Sequence, residues 1–258
     1  MEVIRSRQNP LIKLLIKLAD NRRDRLKNQQ TILIGTHLIK AAIDAGLSLE
    51  KLLVCENHEA KPEIAALLTT EGTTTIMLDA ELFQVIEQSP SSSGLMALMN
   101  IPEVTAPATN GLCLLLENIQ DPGNVGTILR SAAAAGANQI WLTPGCADIW
   151  SPKVLRAAMG AHFHLTLIER IDPAQVLEHF DGKLCITTLD QATSLYATDL
   201  RGNLVLALGT EGKGISAGLD AQADMRIHIP MADGIESLNV AAAATICLFE
   251  RYRQLLMQ

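Results

Sequence analysis

The sequence predicts an α/β protein of two domains, and three observations support this prediction. Hydrophobic residues make up 48% of the 258-residue chain and charged residues 19%, a balance typical of compact globular proteins. Short apolar runs alternate with helical patterns from one end of the sequence to the other. The chain is also longer than a typical domain of about 150 residues. We therefore expect two domains, each large enough to bury a core.

The first predicted element is a basic amphipathic helix that begins at Asn9 and Pro10. Asparagine caps helix N-termini, and proline is favoured at the first helical position. Four leucines between residues 11 and 18 recur at helical spacing, opposite Lys13 and Lys17. This pattern predicts a helix with one apolar face and one basic face.

The rest of the first hundred residues predicts a small α/β domain. Four short apolar runs, typical of strands, alternate with three helical patterns. The strands are expected at residues 31–34, 51–55, 74–78 and 95–99, and the helices at 36–46, 61–70 and 79–88. The stretch NIPEVTAPATNG then contains three breakers and no periodicity, so we expect a linker at 101–110. The predicted domains are therefore residues 1–100 and 111–258.

The second domain is predicted to contain a parallel sheet. Strands are expected at residues 112–116, 139–142, 164–167, 184–188, 204–208 and 226–229, separated by helices. Runs such as LCLLL and LVLAL are apolar at every position, which is typical of parallel strands covered on both faces. His162 and His164 alternate along the edge of the third of these strands, where we expect structural histidines rather than catalytic ones.

Charge is distributed unevenly along the chain. The formal net charge is -7, which is unusual for a nucleic-acid protein because phosphate contacts favour Lys and Arg. Residues 1–30 contain eight basic and three acidic side chains, a balance of +5, so the remainder carries -12. This asymmetry predicts a basic arm that meets RNA beside an acidic body. A solvated helix face is the equal alternative.

Composition and motifs argue against several classes of function. The five cysteines lie far apart without a C-x-x-C pair, which indicates buried thiols in a reducing compartment and no zinc site. No apolar run approaches the roughly 20 residues of a membrane helix, so we expect a cytoplasmic protein with no membrane partner. The segment GTEGKGIS does not fit the phosphate-loop pattern, and no G-x-G-x-x-G occurs, which argues against ATP and NAD.

Three segments each combine a hydrophobic strand with a glycine-containing turn. They are LLLENIQDPGNVGTILRSAAAAGA at 114–137, LVLALGTEGKGIS at 204–216 and IHIPMADGIESLN at 227–239, the last of which feeds an apolar helix. The third segment presents backbone amides with Ser237 and Asn239 at a helix N-terminus, where partial positive charge collects. Helix capping alone is the simpler alternative for such a junction.

The first two segments carry further candidates. Asn124 is expected to cap a helix that also carries Arg130, and a helix N-terminus with a guanidinium can bind phosphate. The alternative is a plain cap and a surface ion pair between Arg130 and Glu117. In the second segment, Gly209 would let a ligand approach the backbone closely, although an ordinary tight turn also needs glycine.

In this order and at these separations, the three segments resemble the motif set of the SpoU, or TrmH, family of RNA ribose 2′-O-methyltransferases, which belongs to the SPOUT class. The resemblance covers residues 111–258 densely, and the first hundred residues resemble more loosely the substrate-binding extension of many rRNA-directed members. It implies transfer of a methyl group from S-adenosyl-L-methionine to a ribose 2′-hydroxyl of structured RNA, with rRNA favoured over tRNA. It also implies a trefoil knot in the parallel-sheet domain, an N-terminal RNA-binding domain and a homodimer.

The resemblance implies a role for ten residues of this chain. The catalytic and ribose-facing candidates are Arg130, Asn124, Glu211, Ser237 and Asn239. The cofactor-binding candidates are Leu208, Gly209, Ile229, Met231 and Leu238. No metal is implied.

The chain departs from the family pattern at several positions. Asp233 stands where relatives commonly carry glycine, Ala158 where serine is frequent, and Thr31 and Ile34 where an aromatic residue and a glutamate are common. The acidic total and Asp233 favour a rival interpretation, a non-catalytic RNA-binding or ribosome-assembly factor on the same scaffold. A tRNA 2′-O-methyltransferase is the other alternative. Arg156 is a secondary candidate for RNA contact, with a solvent-facing helix residue as the alternative.

Overall fold

The computed structural model describes residues 3–70, 72–89, 92–104, 106–210, 212, 214–235 and 237–257. Contacts divide the chain into two compact units. The first contains Met1–Glu103 and Asp148–Phe163, and the second contains Val104–Ala147 and His164–Gln258. The division into contiguous domains at 1–100 and 111–258 stays a prediction, whereas the contacts group residues 148–163 with the N-terminal part of the chain.

Strands and helices alternate along the described residues. The strands are β1 (Val3–Ile4), β2 (Gln30–Ile34), β3 (Leu49–Cys55), β4 (Thr74–Leu78), β5 (Leu95–Asn100), β6 (Leu112–Leu116), β7 (Gln139–Leu142), β8 (Thr166–Glu169), β9 (Lys183–Thr187), β10 (Thr193–Ser194), β11 (Leu204–Leu208) and β12 (Met225–His228). The helices are α1 (Pro10–Asp20), α2 (Arg22–Asn28), α3 (Thr36–Asp44), α4 (Pro62–Leu68), α5 (Ala80–Glu87), α6 (Pro122–Ala134), α7 (Pro152–Ala158), α8 (Pro173–Leu177), α9 (Ala217–Asp220) and α10 (Val240–Leu256).

The first unit is built on a mixed sheet with the strand order β1-β4-β3-β5-β2. The strands β1, β4 and β3 run parallel, and β5 pairs antiparallel with both β3 and β2. All four strands predicted in this part of the chain are present, with ends shifted by no more than two residues. The apolar face of α1 and Phe83 of α5 pack into a common buried cluster with the sheet.

The predicted basic helix is α1, and its ends follow from two asparagines. Asn9 Oδ1 accepts a hydrogen bond from the Leu11 backbone N–H at 2.9 Å, and Pro10 occupies the first turn. Asn21 then leaves helical geometry, with φ -126° and ψ 118°, and its side chain caps α2. Because this break separates α1 from α2, the basic segment forms two short helices instead of one long one.

A buried ion pair ties residues 148–163 to the first unit. Arg25 is 4% exposed, and its Nε and Nη2 atoms donate to Asp148 Oδ2 at 2.7 and 2.5 Å. The Arg25 Nη1 atom donates to the carbonyls of Leu18 and Ala19 at the end of α1. Thr31 Oγ1 donates to the Trp150 carbonyl at 2.6 Å within the same segment. Asp148 and Trp150 are distant in sequence from Arg25 and Thr31, so only tertiary contacts place residues 148–163 in the first unit.

His162 lies in a 3-10 helix, Ala161–His164, and the prediction of a strand edge for His162 and His164 is wrong. Its Nε2 atom donates to the Ile149 carbonyl at 2.6 Å, and its ring contacts Trp150 with 5.3 Å between ring centroids. Burial lowers the pKa of His162 to about 4, so the ring is neutral at physiological pH. The histidine is therefore structural.

The second unit is built on a seven-stranded sheet with the strand order β10-β12-β9-β11-β6-β7-β8. Every pair of neighbours in this sheet is parallel, as the sequence predicts. The strand predicted at 164–167 begins two residues later, at Thr166, because the 3-10 helix occupies the preceding residues. In a parallel sheet the carboxyl ends of the strands share one edge, so the turns after β6, β9, β11 and β12 meet there.

The five cysteines are free and buried, as predicted. Burial raises the pKa of Cys113, Cys185 and Cys247 to about 12, so these thiols stay protonated and unreactive. Within the described ranges, no helix combines the length and apolar character needed to cross a membrane.

Removing Asp148 should leave the guanidinium of Arg25 buried without its partner. We expect Asp148→Ala to lower the free energy of unfolding by about 3 to 5 kcal/mol, measured by urea denaturation. The double substitution Arg25→Met with Asp148→Leu should recover much of this loss, because both charges leave together. Asp199→Ala, which breaks an exposed ion pair with Arg201, serves as the control and should change little. Similar losses in the two single variants would contradict the assignment.

Candidate active site

A cavity of about 490 Å³ opens at the carboxyl edge of the parallel sheet, beside the ends of β9, β11 and β12. The structure brings together all five residues predicted to bind a cofactor, together with one of the ribose-facing candidates. These six predicted residues in the cavity lining are Leu208, Gly209, Ile229, Met231, Leu238 and Ser237. They come from two segments, 208–209 and 229–238, and the pairing of β12 with β9 and of β9 with β11 brings them to one place.

Another part of the lining of this cavity was not predicted from the sequence. It consists of residues 187–190, which follow β9, and of His228 at the end of β12. The Nδ1 atom of His228 donates to the Ala192 carbonyl at 3.2 Å, which leaves Nε2 of the neutral ring as an acceptor. The signal available in the sequence was the end of β9, because strand ends in a parallel sheet share the binding edge.

Gly209 sits where the chain passes very close to itself. A Cβ atom built at Gly209 would lie 2.6 Å or less from the backbone of Gly214 and Ile215, so no side chain fits there. Thr210 and Gly214 exchange two backbone hydrogen bonds, of 3.2 and 2.8 Å, which close the turn. The segment 209–216 is named here the β11 loop, and these contacts hold Gly209 and Thr210 against Gly214 and Ile215 directly after the strand.

Glu117 fixes the far end of the β11 loop. This residue follows β6, is 8% exposed, and accepts a hydrogen bond from the Ser216 backbone N–H through Oε2 at 2.7 Å. Ser216 in turn caps α9 by accepting a hydrogen bond from the Leu219 N–H. Glu117 is thus a buried anchor within its own unit, and the alternative of a surface ion pair with Arg130 is wrong.

A second cavity, of about 630 Å³, lies on the other side of the β11 loop. Its wall is polar and comes from residues 117–121 and from Asn124 in the first turn of α6. Thr210, Gly214, Ile215 and Val240 line both cavities. The two cavities therefore adjoin and are separated by the loop.

A hydrogen bond between Asn124 and Asn239 connects the first and third motifs. The Nδ2 atom of Asn239 donates to Asn124 Oδ1 at 2.9 Å, and Asn239 Oδ1 caps α10 by accepting from the N–H groups of Ala241 and Ala242. The prediction that Asn124 caps its own helix is wrong. Asp121 is the cap, because its Oδ1 accepts from the Asn124 N–H at 2.8 Å and Pro122 takes the first helical position.

Arg130 lies on α6 and lines neither cavity. Its side chain is exposed, and it makes no hydrogen bond or ion pair with any residue that the structure describes. Six residues separate it from Asn124, which corresponds to about 9 Å along the helix axis. At about 3.6 residues per turn the two side chains also lie on different sides of α6, so the structure does not bring Arg130 to the other predicted site residues.

Two further predictions concern the loops of this site. Glu211 lies outside the described residues. Asp233, which stands where relatives commonly carry glycine, does not take a positive φ, whereas the neighbouring Gly234 does, with φ 83°. Within the described ranges, no three His, Cys, Asp or Glu side chains gather as a metal site would require.

A parallel sheet whose strand ends enclose two adjoining cavities defines a class of α/β enzymes that bring a bound cofactor and a substrate together. The model of the SpoU rRNA Methylase family matches residues 111–249, and that of the MRM3-like substrate binding domain matches residues 9–97. The chain belongs to the SpoU rRNA methylase family. This membership confirms the predicted class of enzyme, an S-adenosyl-methionine-dependent RNA 2′-O-methyltransferase.

Similarity extends over the whole length of several relatives. A tRNA/rRNA methyltransferase of Synechocystis sp., itself uncharacterized, is 34% identical, covering 97% of this chain and 93% of that protein. The 23S rRNA (guanosine(2553)-2′-O)-methyltransferase RlmP of Bacillus subtilis is 30% identical, covering 96% and 98% respectively. The crystal structure of the SpoU methyltransferase AviRb from Streptomyces viridochromogenes, in complex with AdoMet, superposes with a TM-score of 0.88 at 26% identity, covering 96% of this chain and 99% of that one.

Adding one methyl group at Gly209 should force the β11 loop away from the strand end. We expect Gly209→Ala to lower the free energy of unfolding by about 1 to 3 kcal/mol, as overpacking does elsewhere. Gly218→Ala is the matched control, because a Cβ atom at Gly218 meets nothing within 4 Å. Urea denaturation of both variants tests this, and an unchanged midpoint for Gly209→Ala would contradict the close approach.

Proposed function

We propose that this protein methylates one ribose 2′-hydroxyl of rRNA, with the first cavity holding S-adenosyl-methionine and the second receiving the target nucleotide. The observation that carries this proposal is the meeting of the five predicted cofactor residues around one cavity, beside a polar cavity that contains Asn124. The relative from B. subtilis is named as an rRNA 2′-O-methyltransferase, which favours rRNA over tRNA.

The first cavity fits the proposed cofactor in size and chemistry. Its volume of about 490 Å³ lies within the range of small-molecule sites, roughly 300 to 1,000 Å³. Apolar side chains such as Leu208, Ile227 and Ile229 offer a surface for an adenine ring. Gly209 lines the cavity beside Leu208, and His228 Nε2 offers an acceptor for a ribose hydroxyl.

When bound, S-adenosyl-methionine supplies an electrophilic methyl group. The ribose oxygen forms a bond to this methyl carbon, the carbon–sulfur bond breaks, and the hydroxyl proton leaves. A ribose 2′-hydroxyl is a poor nucleophile until it loses this proton, so orientation and charge stabilisation must supply the rate. We assign orientation of the ribose to Asn124, Asn239 and Ser237, of which the first two already contact each other.

Arg130 is assigned to the charge that develops on the ribose oxygen. A guanidinium has a pKa above about 12 and is a poor base, but it stabilises an alkoxide through two N–H donors. Its exposure and its freedom from partners among the described residues leave these donors available to an incoming nucleotide. We retain Glu211 as a further candidate in the β11 loop.

We also propose the trefoil knot and the homodimer that the family resemblance implies. The match of residues 111–249 to the SpoU family model supports the knot. An exposed apolar surface on α10 supports a dimer. It consists of Phe249, Tyr252, Leu256 and Met257. The five buried thiols support the proposed cytoplasmic location, since free cysteines persist in a reducing compartment.

The proposed reaction is tested by transfer of labelled methyl from S-adenosyl-methionine to rRNA from cells that lack this gene, followed by mapping of ribose methylation. Incorporation at one 2′-oxygen is expected.

Arg130→Ala should lower kcat about 100-fold to 1,000-fold, the usual effect of removing a transition-state donor, with unchanged affinity for S-adenosyl-methionine. Arg170→Ala, at an exposed arginine of the same unit outside both cavities, is the control. Near-normal turnover in Arg130→Ala would overturn its role.

A protein that binds S-adenosyl-methionine and RNA without transferring a methyl group would support the rival interpretation. That result should hold for rRNA, for tRNA and for ribosomal assembly intermediates before the rival replaces the proposed function. Methyl incorporation into tRNA alone would change the substrate and leave the chemistry in place.

The proposed dimer predicts a mass in solution of twice the 27.8 kDa of the chain. Substituting glutamate for Phe249 and Tyr252 should convert the protein to monomers, because two charges would then face each other in an apolar interface. Sedimentation velocity measures both states, with Tyr196→Glu, at another exposed aromatic residue, as the control. A monomeric native protein would contradict the proposal.

A further inference from the structure

We propose that the RNA substrate is held by its phosphates on a basic face of the first unit, formed by Lys13 and Lys17 of α1 and by Arg23 and Lys27 of α2. This inference rests on the proposed function only in naming RNA as the partner. These four residues are called the basic face below. The face is separate from the candidate active site, which belongs to the other unit of the chain.

Two of the eight basic side chains in residues 1–30 are already paired with carboxylates of the first unit, so we exclude them from RNA binding. Arg5 donates to Glu56 and Asp79, at 2.6 Å for its shortest contact. Arg25 is buried against Asp148. The charges of both arginines are thus neutralised within the unit, although the sequence counted them with the arm.

The four side chains of the basic face, unlike those of Arg5 and Arg25, can contact an anion in solution. Each is exposed, and none donates a side-chain hydrogen bond or forms an ion pair with a residue in the described part of the chain. Residues 13–27 also contain Asp20 and Asp24, but the cations remain in excess, so they repel one another in the free protein. An anionic partner relieves this repulsion when it binds.

The spacing within each helix presents the cations in pairs. Lys13 and Lys17 are four residues apart, as are Arg23 and Lys27, and side chains at this spacing lie on the same side of a helix. On α1 the buried residues Ile12, Leu15 and Leu18 occupy the other side. On α2 the side chain of Arg25 points inward between its two exposed neighbours. Each helix therefore buries one side and offers two cations on the other.

The remainder of this part of the chain has the opposite charge. Residues 31–103 contain three basic and ten acidic side chains, a balance of -7. One of the three basic residues, Lys40, is already paired with Asp44. A polyanion is repelled by most of this surface, so α1 and α2 are where phosphates can approach. The charge distribution therefore indicates that the partner binds at α1 and α2 and that the partner is a polyanion.

Contacts of this kind position RNA without reading its sequence. Lysine and arginine contacts to phosphate supply affinity and register, whereas contacts to bases supply specificity. We therefore assign the basic face to capture and orientation of the RNA. The choice of nucleotide falls to other residues.

The test is the salt dependence of rRNA binding by the full-length protein. The variants are Lys13→Ala with Lys17→Ala, and Arg23→Ala with Lys27→Ala. Each phosphate contact contributes about 0.7 to 0.9 to the slope of log K against log salt concentration. Each double variant should therefore lower the slope by about 1.4 to 1.8, and should raise KM for rRNA while kcat stays unchanged.

The control is Lys61→Ala with Lys153→Ala, which removes two exposed lysines from the same unit but outside the basic face. Its slope should match the native protein. The Lys13→Arg with Lys17→Arg variant should also keep the native slope, which separates lost charge from lost folding. Slopes equal to the native value in both alanine pairs would overturn the inference, as would binding of anionic lipid vesicles, but not rRNA, through these residues.

Failure of the basic face can be distinguished from failure of the proposed function. If rRNA is methylated while the alanine pairs keep native slopes, the reaction stands and the basic face is wrong. If the slopes fall as expected while no methyl group is transferred to any RNA, the basic face stands and the catalytic assignment is wrong.

Discussion

The pairing of β6 with β11 is the constraint on which the candidate active site depends. In this register Leu116 lies opposite Leu208, so the first and second motifs begin side by side at one edge of the sheet. Glu117 follows immediately and reaches the Ser216 N–H across the β11 loop. A shift of one residue between these strands would separate Glu117 from the loop and turn each inward side chain to the other face. The two cavities exist because this register is held by continuous apolar strands.

A buried charge pair has a comparable role in the first unit. Arg25 satisfies carbonyls at the end of α1 and the carboxylate of Asp148 at the same time. Such a pair adds little net stability over apolar residues, but its geometry is demanding, and breaking it is costly. It therefore selects one arrangement of α1, α2 and residues 148–163. The same arrangement leaves the neighbouring cations of α2 exposed.

Much of the fold followed from local patterns in the sequence. Apolar runs located nearly every strand of both sheets, and the second and third motifs contain the six predicted residues that line the first cavity. The errors arose where two local patterns competed. Asp121 and Asn124 are both good helix caps, and the proline between them, favoured at the first helical position, was the signal that identifies Asp121. His162 and His164 alternate as strand residues do, yet they lie in a 3-10 helix that brings His162 to the Ile149 carbonyl.

Other features could not be predicted because they depend on distant parts of the chain. Nothing near Asp148 indicates that its partner is Arg25, more than a hundred residues earlier. Residues 187–190 carry no motif, and only the strand order places them on the wall of the first cavity. The sequence also could not separate structural from available cations in the basic segment. Burial and hydrogen bonding make that distinction.

The β11 loop is a single wall between two cavities, and this limits how the protein can change. Thr210, Gly214 and Ile215 face both sides, and the loop is held at one end by the tight approach at Gly209 and at the other by Glu117. A substitution that reshapes one cavity therefore also reshapes the other. An inhibitor that occupied both cavities would press on this shared wall, and a resistance mutation there would alter both proposed binding sites.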